Sequence, residues 1–379
     1  MYLTKEEERL LEDPNPSIAK AMEILIAVGK IFKAEKLVSI KSAHVSGISY
    51  QNIGDEGLEW LEGINAKVRV RTTINPAGID LKKWKKMNVS ENFYQKQMRI
   101  LNVFKKLGAD LTLTCTPYLI YQPEKGDILA WSESSAIIYA NSVLGARTNR
   151  ESGITALAAA IIGKTPYYGL LLEENRIPNI LIKYNGEINY KTLSLLGLKV
   201  GEILKADEIP VFKFKRRLSN DEMKILGASL ASAGDLAIFH IADQTPEART
   251  DTVVETLTLE IKDETAYCDP DVVVFGCPHL SKDELLDIYR FIAKNGKVKR
   301  KVWLFTSRHL IERNKNIVDK LELNGVEVFA DTCIVVSPLA KSVNSVLTNS
   351  GKAYTYLPKL RGVKTYLAST EDCLKKMYD

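Results

Sequence analysis

Strand-length apolar runs alternate with helix-period stretches along nearly the whole chain, and that alternation admits few architectures other than α/β. A Thr4…Glu7 capping box opens a short first helix, and Asn15-Pro16 starts a longer one. Val38 to Lys41 and Val68 to Thr73 read as strands, separated by a turn at Gly54-Asp55-Glu56-Gly57 and a helix through Leu61. Ser90 to Leu107 is helical up to Gly108, and Asp110 to Thr114 follows as a strand. Helices are expected over Ser134 to Leu144 and Ile154 to Ile162, each stopped by a glycine.

The rest of the chain repeats the alternation. Asn179 to Tyr184 reads as a strand, with helices over Tyr190 to Leu204 and Ser219 to Ala231. Asp235 to Ile241 and Thr252 to Leu259 are strand candidates. Then come Asp271 to Phe275 as strand, Ser281 to Lys294 as helix, Lys301 to Phe305 as strand, a helix to Leu323 and a strand over Val326 to Phe329. At 379 residues the chain has room for several cores, and three α/β domains are expected at 1–145, 146–265 and 266–379.

Composition excludes more than it selects. A net charge of +5, from 52 basic and 47 acidic side chains, argues against a nucleic-acid partner and suits a small anionic substrate. The basic run Lys213, Lys215, Arg216, Arg217 reads as a solvated face. No apolar run is long enough to cross a bilayer, and the first residues lack the order of a signal peptide. Five scattered cysteines do not resemble a secreted disulfide framework, so a reducing cytoplasm is the expected compartment.

Three of those cysteines sit where strand-like runs meet structure-breaking residues. They are Cys115 before Thr116-Pro117, Cys277 before Pro278-His279, and Cys333 after Asp331-Thr332. Ligands of open α/β sheets bind beyond the carboxyl ends of strands, where such junctions lie. The spacing matches no zinc or ferredoxin pattern, so on spacing alone they are three ligands or three buried thiols. Cys268 and Cys373 read as structural.

Polar loops fall at comparable places. Ser46-Gly47-Ile48-Ser49 and Thr73-Ile74-Asn75-Pro76 each follow a strand, and Asn349-Ser350-Gly351-Lys352 places a cation at a turn. Ser132-Glu133-Ser134-Ser135 opens a helix, with N–H groups and hydroxyls for a carboxylate or phosphate and a carboxylate for protons. The Lys352 segment is no Walker loop, no Gly-x-Ser-x-Gly elbow occurs, and four histidines show no zinc-protease spacing. His279 is expected near a site; His44, His240 and His309 read as structural.

Taken in order, these segments resemble the aconitase X family, the divergent branch of the aconitase superfamily. The resemblance rests on Ser42-Ala43-His44-Val45-Ser46-Gly47, Thr73-Ile74-Asn75-Pro76-Ala77-Gly78, Thr114-Cys115-Thr116-Pro117-Tyr118 and Ala130-Trp131-Ser132-Glu133-Ser134-Ser135. It continues through Asn141 to Asn149, Phe275-Gly276-Cys277-Pro278-His279 and Asn349-Ser350-Gly351-Lys352. It implies an aconitase-like fold, with three α/β domains around a cluster-binding cleft and the swivelling fourth domain supplied by a separate small subunit. It also implies an iron–sulfur hydro-lyase that dehydrates (R)-5-phosphomevalonate to trans-anhydromevalonate 5-phosphate in archaeal isoprenoid synthesis. A hydroxy acid such as cis-3-hydroxyproline is the alternative substrate, and a non-catalytic α/β binding protein the alternative of another class.

On that resemblance Cys115, Cys277 and Cys333 would hold a [4Fe-4S] cluster, isolated as [3Fe-4S] when its open iron is lost. Gly47, Ile48, Ser49, Asn75, Pro76, Glu133, Ser134, Arg147 and Lys352 would bind substrate, with Arg147 or Lys352 favoured for its anionic groups. The base would be a serine of the small subunit, so no base is expected on this chain. Leu171 stands where relatives are expected to carry His.

Overall fold

In the computed structural model, which describes residues 1–205, 207–234, 236–261 and 269–379, the alternation resolves into four sheets. The first unit opens with helices Lys5–Leu11 and Pro16–Ile31, capped by Thr4 with Glu7 and by Asn15. Strands β1 (Leu37–Ser39), β2 (Ser42–Ser46), β3 (Arg71–Asn75), β4 (Leu129–Trp131) and β5 (Lys164–Pro166) follow. The pair β1–β5 is antiparallel, while β3-β2-β4 is a parallel sheet in that order. Its helices bury Met22, Leu25, Leu58, Ile100, Phe104 and Ala159 in one core.

The second unit is the parallel sheet β8-β7-β6-β9, built from β6 (Ile180–Tyr184), β7 (Pro210–Lys213), β8 (His240–Ile241) and β9 (Glu255–Leu259). Helices Tyr190–Ile203 and Asn220–Ala233 pack closely because Gly197 and Gly201 carry no side chain. A Cβ on either would meet the opposite helix's backbone at 2.9 Å. The third unit is the parallel sheet β12-β11-β10-β13-β14: β10 (Val272–Leu280), β11 (Lys301–Thr306), β12 (Val326–Phe329), β13 (Ser345–Thr348) and β14 (Lys364–Leu367). Parallel strands need covering on both faces, and the buried patterns of β10 and β11 meet that need.

The fold is thus α/β as expected, with local departures that matter near the site. The Val68 and Arg69 amides are spent on Leu107 and Ala160 carbonyls, so β3 starts at Arg71 and runs on to Asn75. No turn interrupts Gly54 to Gly57; helix Tyr50–Glu62 passes through with one kink at Gly54, φ 70°. The helix before Gly145 changes at Tyr139 to a π-helical turn over Ala140–Leu144. The helix to Leu323 divides at Asn314 into Arg308–Arg313 and Lys315–Leu323. The candidate Asp235 to Ile241 shrinks to β8, with Asp235 outside the described residues, and that at Thr252 begins at Glu255.

Two corrections concern cysteines. Asp110 to Thr114 is not a strand: only Asp110 bridges to β3, Thr112 Oγ1 donates to the Ile74 carbonyl, and Leu113 adopts φ 48°. Conversely β10 does not end at Phe275. Its register with β11 breaks after Phe275 and resumes at Leu280, so Gly276-Cys277-Pro278-His279 bulges from the carboxyl end of the sheet. Gly276, φ 101°, makes this possible, since a Cβ there would lie 2.1 Å from the Phe305 carbonyl oxygen.

Candidate active site

The carboxyl ends of β2, β3 and β4 form one wall of a cleft of about 250 Å³, and loops of the third unit form the other. On the first wall, Ser46 at the end of β2 donates its amide to Ser132 Oγ (2.7 Å) and its hydroxyl to the Ser132 carbonyl (2.8 Å). Those bonds lock the loop that presents Glu133. Asn75, the last residue of β3, donates from Nδ2 to Glu133 Oε2 (3.2 Å) and lies 2.9 Å from His44 Nε2. His44 Nδ1 in turn lies 2.7 Å from Thr73 Oγ1.

Across the cleft, Lys352 projects from the first turn of helix Gly351–Arg361. Its Nζ pairs with Glu133 Oε1 (2.5 Å) and donates to Ser135 Oγ (3.2 Å). Burial pushes the Glu133 carboxyl up, but the Lys352 charge and hydrogen bond, with help from Asn75, pull it down to about 2. Burial disfavours the Lys352 ammonium, yet the Glu133 charge and the neighbouring thiols raise it. The two walls therefore meet through a buried, ionised pair.

Cys115, Cys277 and Cys333 all line this cleft. One imidazole ties their loops together. The His279 amide donates to Cys115 Sγ (3.2 Å), and its Nε2 lies 2.8 Å from the Thr332 carbonyl, which can only accept. Nε2 therefore carries the proton, and Nδ1 accepts from Thr114 Oγ1 at 2.9 Å. Burial lowers His279 to about 4, keeping the clamp neutral. Burial also raises Cys115 to about 12, whereas a hydrogen bond from Cys277 favours the Cys333 thiolate.

Among the described residues no group of three His, Cys, Asp or Glu side chains closes around a single metal ion. Three free thiols line this one cavity, and soft sulfur donors are the ligands that iron–sulfur clusters take. They are the residues that would hold a multi-iron cluster if one is bound here.

Of the residues expected to bind substrate, Gly47, Asn75, Pro76, Glu133, Ser134 and Lys352 line the cleft with the three thiols. The Ile48 side chain belongs to the first core, and Ser49 Oγ caps helix Tyr50–Glu62. Among the described residues no hydrogen bond engages the Ile48 or Ser49 amide, so backbone is what these two can offer. Arg147 is elsewhere. Its Nη1 donates to the Leu171 carbonyl (3.0 Å), and its Nη2 lies 3.7 Å from Glu247. Leu171 is buried there too, outside the cleft lining.

Cys373 packs in the core of the third unit, and Cys268 lies outside the described residues. In the basic run, Arg216 pairs with Glu222 at 2.6 Å on an exposed face. Sequence reasoning assigned His44 to structure and passed over Asn52 and Tyr356, which line the cleft. Strand periodicity held the signal for His44: it lies two residues before Ser46, hence on the same face of β2.

Aconitase X domain models match nearly the whole chain, the first domain over residues 1–174, the second over 178–269 and the third over 270–379. The chain belongs to the aconitase X family. A similar aconitase X relative is the phosphomevalonate dehydratase large subunit of Methanosarcina mazei, 40% identical over 99% of this chain and 97% of the relative. The cis-3-hydroxy-L-proline dehydratase of Hypocrea jecorina is 30% identical over 95% of this chain and 65% of that protein. The crystal structure of Thermococcus kodakaraensis aconitase X in its holo-form superposes with a TM-score of 0.91 at 38% identity, covering 100% of both chains. An aconitase X fold thus carries the cleft.

Proposed function

We propose that this chain is the large subunit of a phosphomevalonate dehydratase, removing water from (R)-5-phosphomevalonate to give trans-anhydromevalonate 5-phosphate. The observation that carries the reading is one cleft in which three free thiols face an ionised Glu133–Lys352 pair. The full-length similarity to a relative of that name favours this substrate over cis-3-hydroxyproline, whose dehydratase is more distant.

Cys115, Cys277 and Cys333 would hold a [4Fe-4S] cluster, which when bound supplies a Lewis-acidic iron for the departing hydroxyl. The rest falls to this chain's own groups. Gly47 and Pro76 on the cleft lining shape the approach of the substrate carboxylate, and the amides of Ile48 and Ser49, which follow Gly47 and have no hydrogen bond among the described residues, would be its donors. Glu133 is ionised and bonded to Lys352, which makes it an orienting acceptor and not a proton donor at neutral pH. Lys352 and Ser134 complete the substrate contacts. Loss of the proton from the carbon beside the carboxylate needs a base, and the reading assigns it to a serine of a small subunit. Free thiols suit a reducing cytoplasm.

Anaerobic co-expression with the small subunit tests the reading. The complex is expected to contain iron and sulfide and to convert (R)-5-phosphomevalonate to its anhydro product, with no turnover by either subunit alone. Turnover of cis-3-hydroxy-L-proline without turnover of phosphomevalonate would assign another substrate. A colourless, iron-free protein after reconstitution would sink the cluster.

A further inference from the structure

His44 is fully buried and has no part in the chemistry above, yet its Nε2 lies on the same Asn75 amide nitrogen that reaches Glu133, so the ring and the carboxylate together hold that amide. Glu133 is ionised and can only accept, so the Asn75 atom 3.2 Å from its Oε2 is the NH2 group. The same nitrogen is 2.9 Å from His44 Nε2, which must then be an unprotonated acceptor. The His44 proton is therefore on Nδ1, donated to Thr73 Oγ1 at 2.7 Å, and the Thr73 hydroxyl turns to the Ala43 carbonyl at 3.5 Å. Burial lowers His44 to about 4, which is consistent with a neutral ring. Every member of this chain of bonds has one permitted orientation.

One atom is left over. Asn75 Oδ1 is buried and, among the described residues, has no hydrogen-bond partner, although Asn75 lines the cleft. A buried carbonyl without a donor is costly, and a ligand hydroxyl or an ordered water that reaches Oδ1 removes that cost. We infer that His44 is a positioning residue that holds the Asn75 carbonyl toward the cleft to accept a hydrogen bond from the hydroxyl of the substrate. The inference rests on the phosphomevalonate reading. With carboxylate and phosphate ionised, the tertiary hydroxyl is that molecule's remaining donor, and it is also the group to be expelled. Asn75 would then sense the leaving group itself, while backbone amides and Lys352 sense charge.

The test compares the substrate with its 3-deoxy analogue on the reconstituted two-subunit complex. For His44→Phe, kcat/KM for (R)-5-phosphomevalonate is expected to fall about 10- to 100-fold. The inhibition constant of the deoxy analogue should stay within about twofold, because that ligand never used the carbonyl. His44→Gln, whose side-chain oxygen can accept from Asn75 where Nε2 does, should recover most of the loss. Unchanged cluster absorption would serve as the folding control. Equal weakening of substrate and analogue, or failure of the glutamine variant to rescue, would overturn the inference, because either result marks a general structural role. A wild-type complex that does not turn over phosphomevalonate would instead overturn the functional reading and remove the donor on which this inference depends.

Discussion

The two walls of the cleft are built on the same kind of parallel sheet, yet they are finished to different degrees. On the β3-β2-β4 wall, hydrogen bonds run continuously from Thr73 through His44 and Asn75 to Glu133, and the charge is neutralised by Lys352. On the wall built by β10 and the Cys333 loop, the backbone is clamped by His279, but the thiols face one another with only partial hydrogen bonding. The first wall is pre-organised by the protein alone. The second, in the proposed function, is completed by the cluster its thiols would hold. A polar set that must orient a substrate benefits from rigidity before binding, whereas a set that ligates metal is completed by the metal.

Replacing thiols should break the comparison most severely. Cys115→Ser, Cys277→Ser and Cys333→Ser are each expected to abolish cluster iron and lower kcat/KM more than about a thousandfold. Cys373→Ser, in the third core, should keep its iron. Iron and sulfide analysis under anaerobic conditions checks this. Next in size is Lys352→Met, which strands the Glu133 carboxylate without its partner. A loss of about a hundredfold in kcat/KM is expected, with cluster iron retained, and steady-state kinetics on the brown protein reads it.

The pH dependence sharpens the first wall. The Glu133 carboxyl is held at about 2, below its ordinary value of 4.5, so its contribution to stability is present above 4.5 and lost as the pH falls toward 2. The stability difference between wild type and Glu133→Gln, roughly 3 kcal/mol from this source, should be flat above about pH 5 and shrink below 4.5. Denaturant unfolding of both proteins across that range measures it. Smallest is Arg147→Gln. Because its guanidinium is engaged by the Leu171 carbonyl and Glu247, away from the cleft, kcat/KM should stay within about threefold of wild type.

Features written in local chemistry were legible. The capping box at Thr4 with Glu7 forms as its spacing predicts, and the helices stop at Gly108, Gly145 and Gly163. The cleft lining was legible wherever a polar residue ends a strand, as Asn75 does, or follows one, as Glu133 does. What escaped depends on partners far along the chain. The irregular path to Cys115 is held by the Ile74 carbonyl and by His279, and the Cys277 bulge depends on close approach to the Phe305 backbone. Arg147 looked available because its partner, Glu247, is 100 positions downstream. His44 was hidden for the same reason: its role exists only through Asn75 and Glu133.

The proposal is that both walls act on one molecule, the polar loops and Lys352 holding the hydroxy acid while Cys115, Cys277 and Cys333 hold the iron that meets its hydroxyl. Mössbauer spectroscopy of the ⁵⁷Fe-labelled complex, with and without (R)-5-phosphomevalonate, addresses it directly. The account predicts that substrate shifts one iron subsite and leaves the others unchanged, and that Glu133→Gln weakens the shift without losing iron. Spectra identical with and without substrate, in a complex that turns it over, would contradict it.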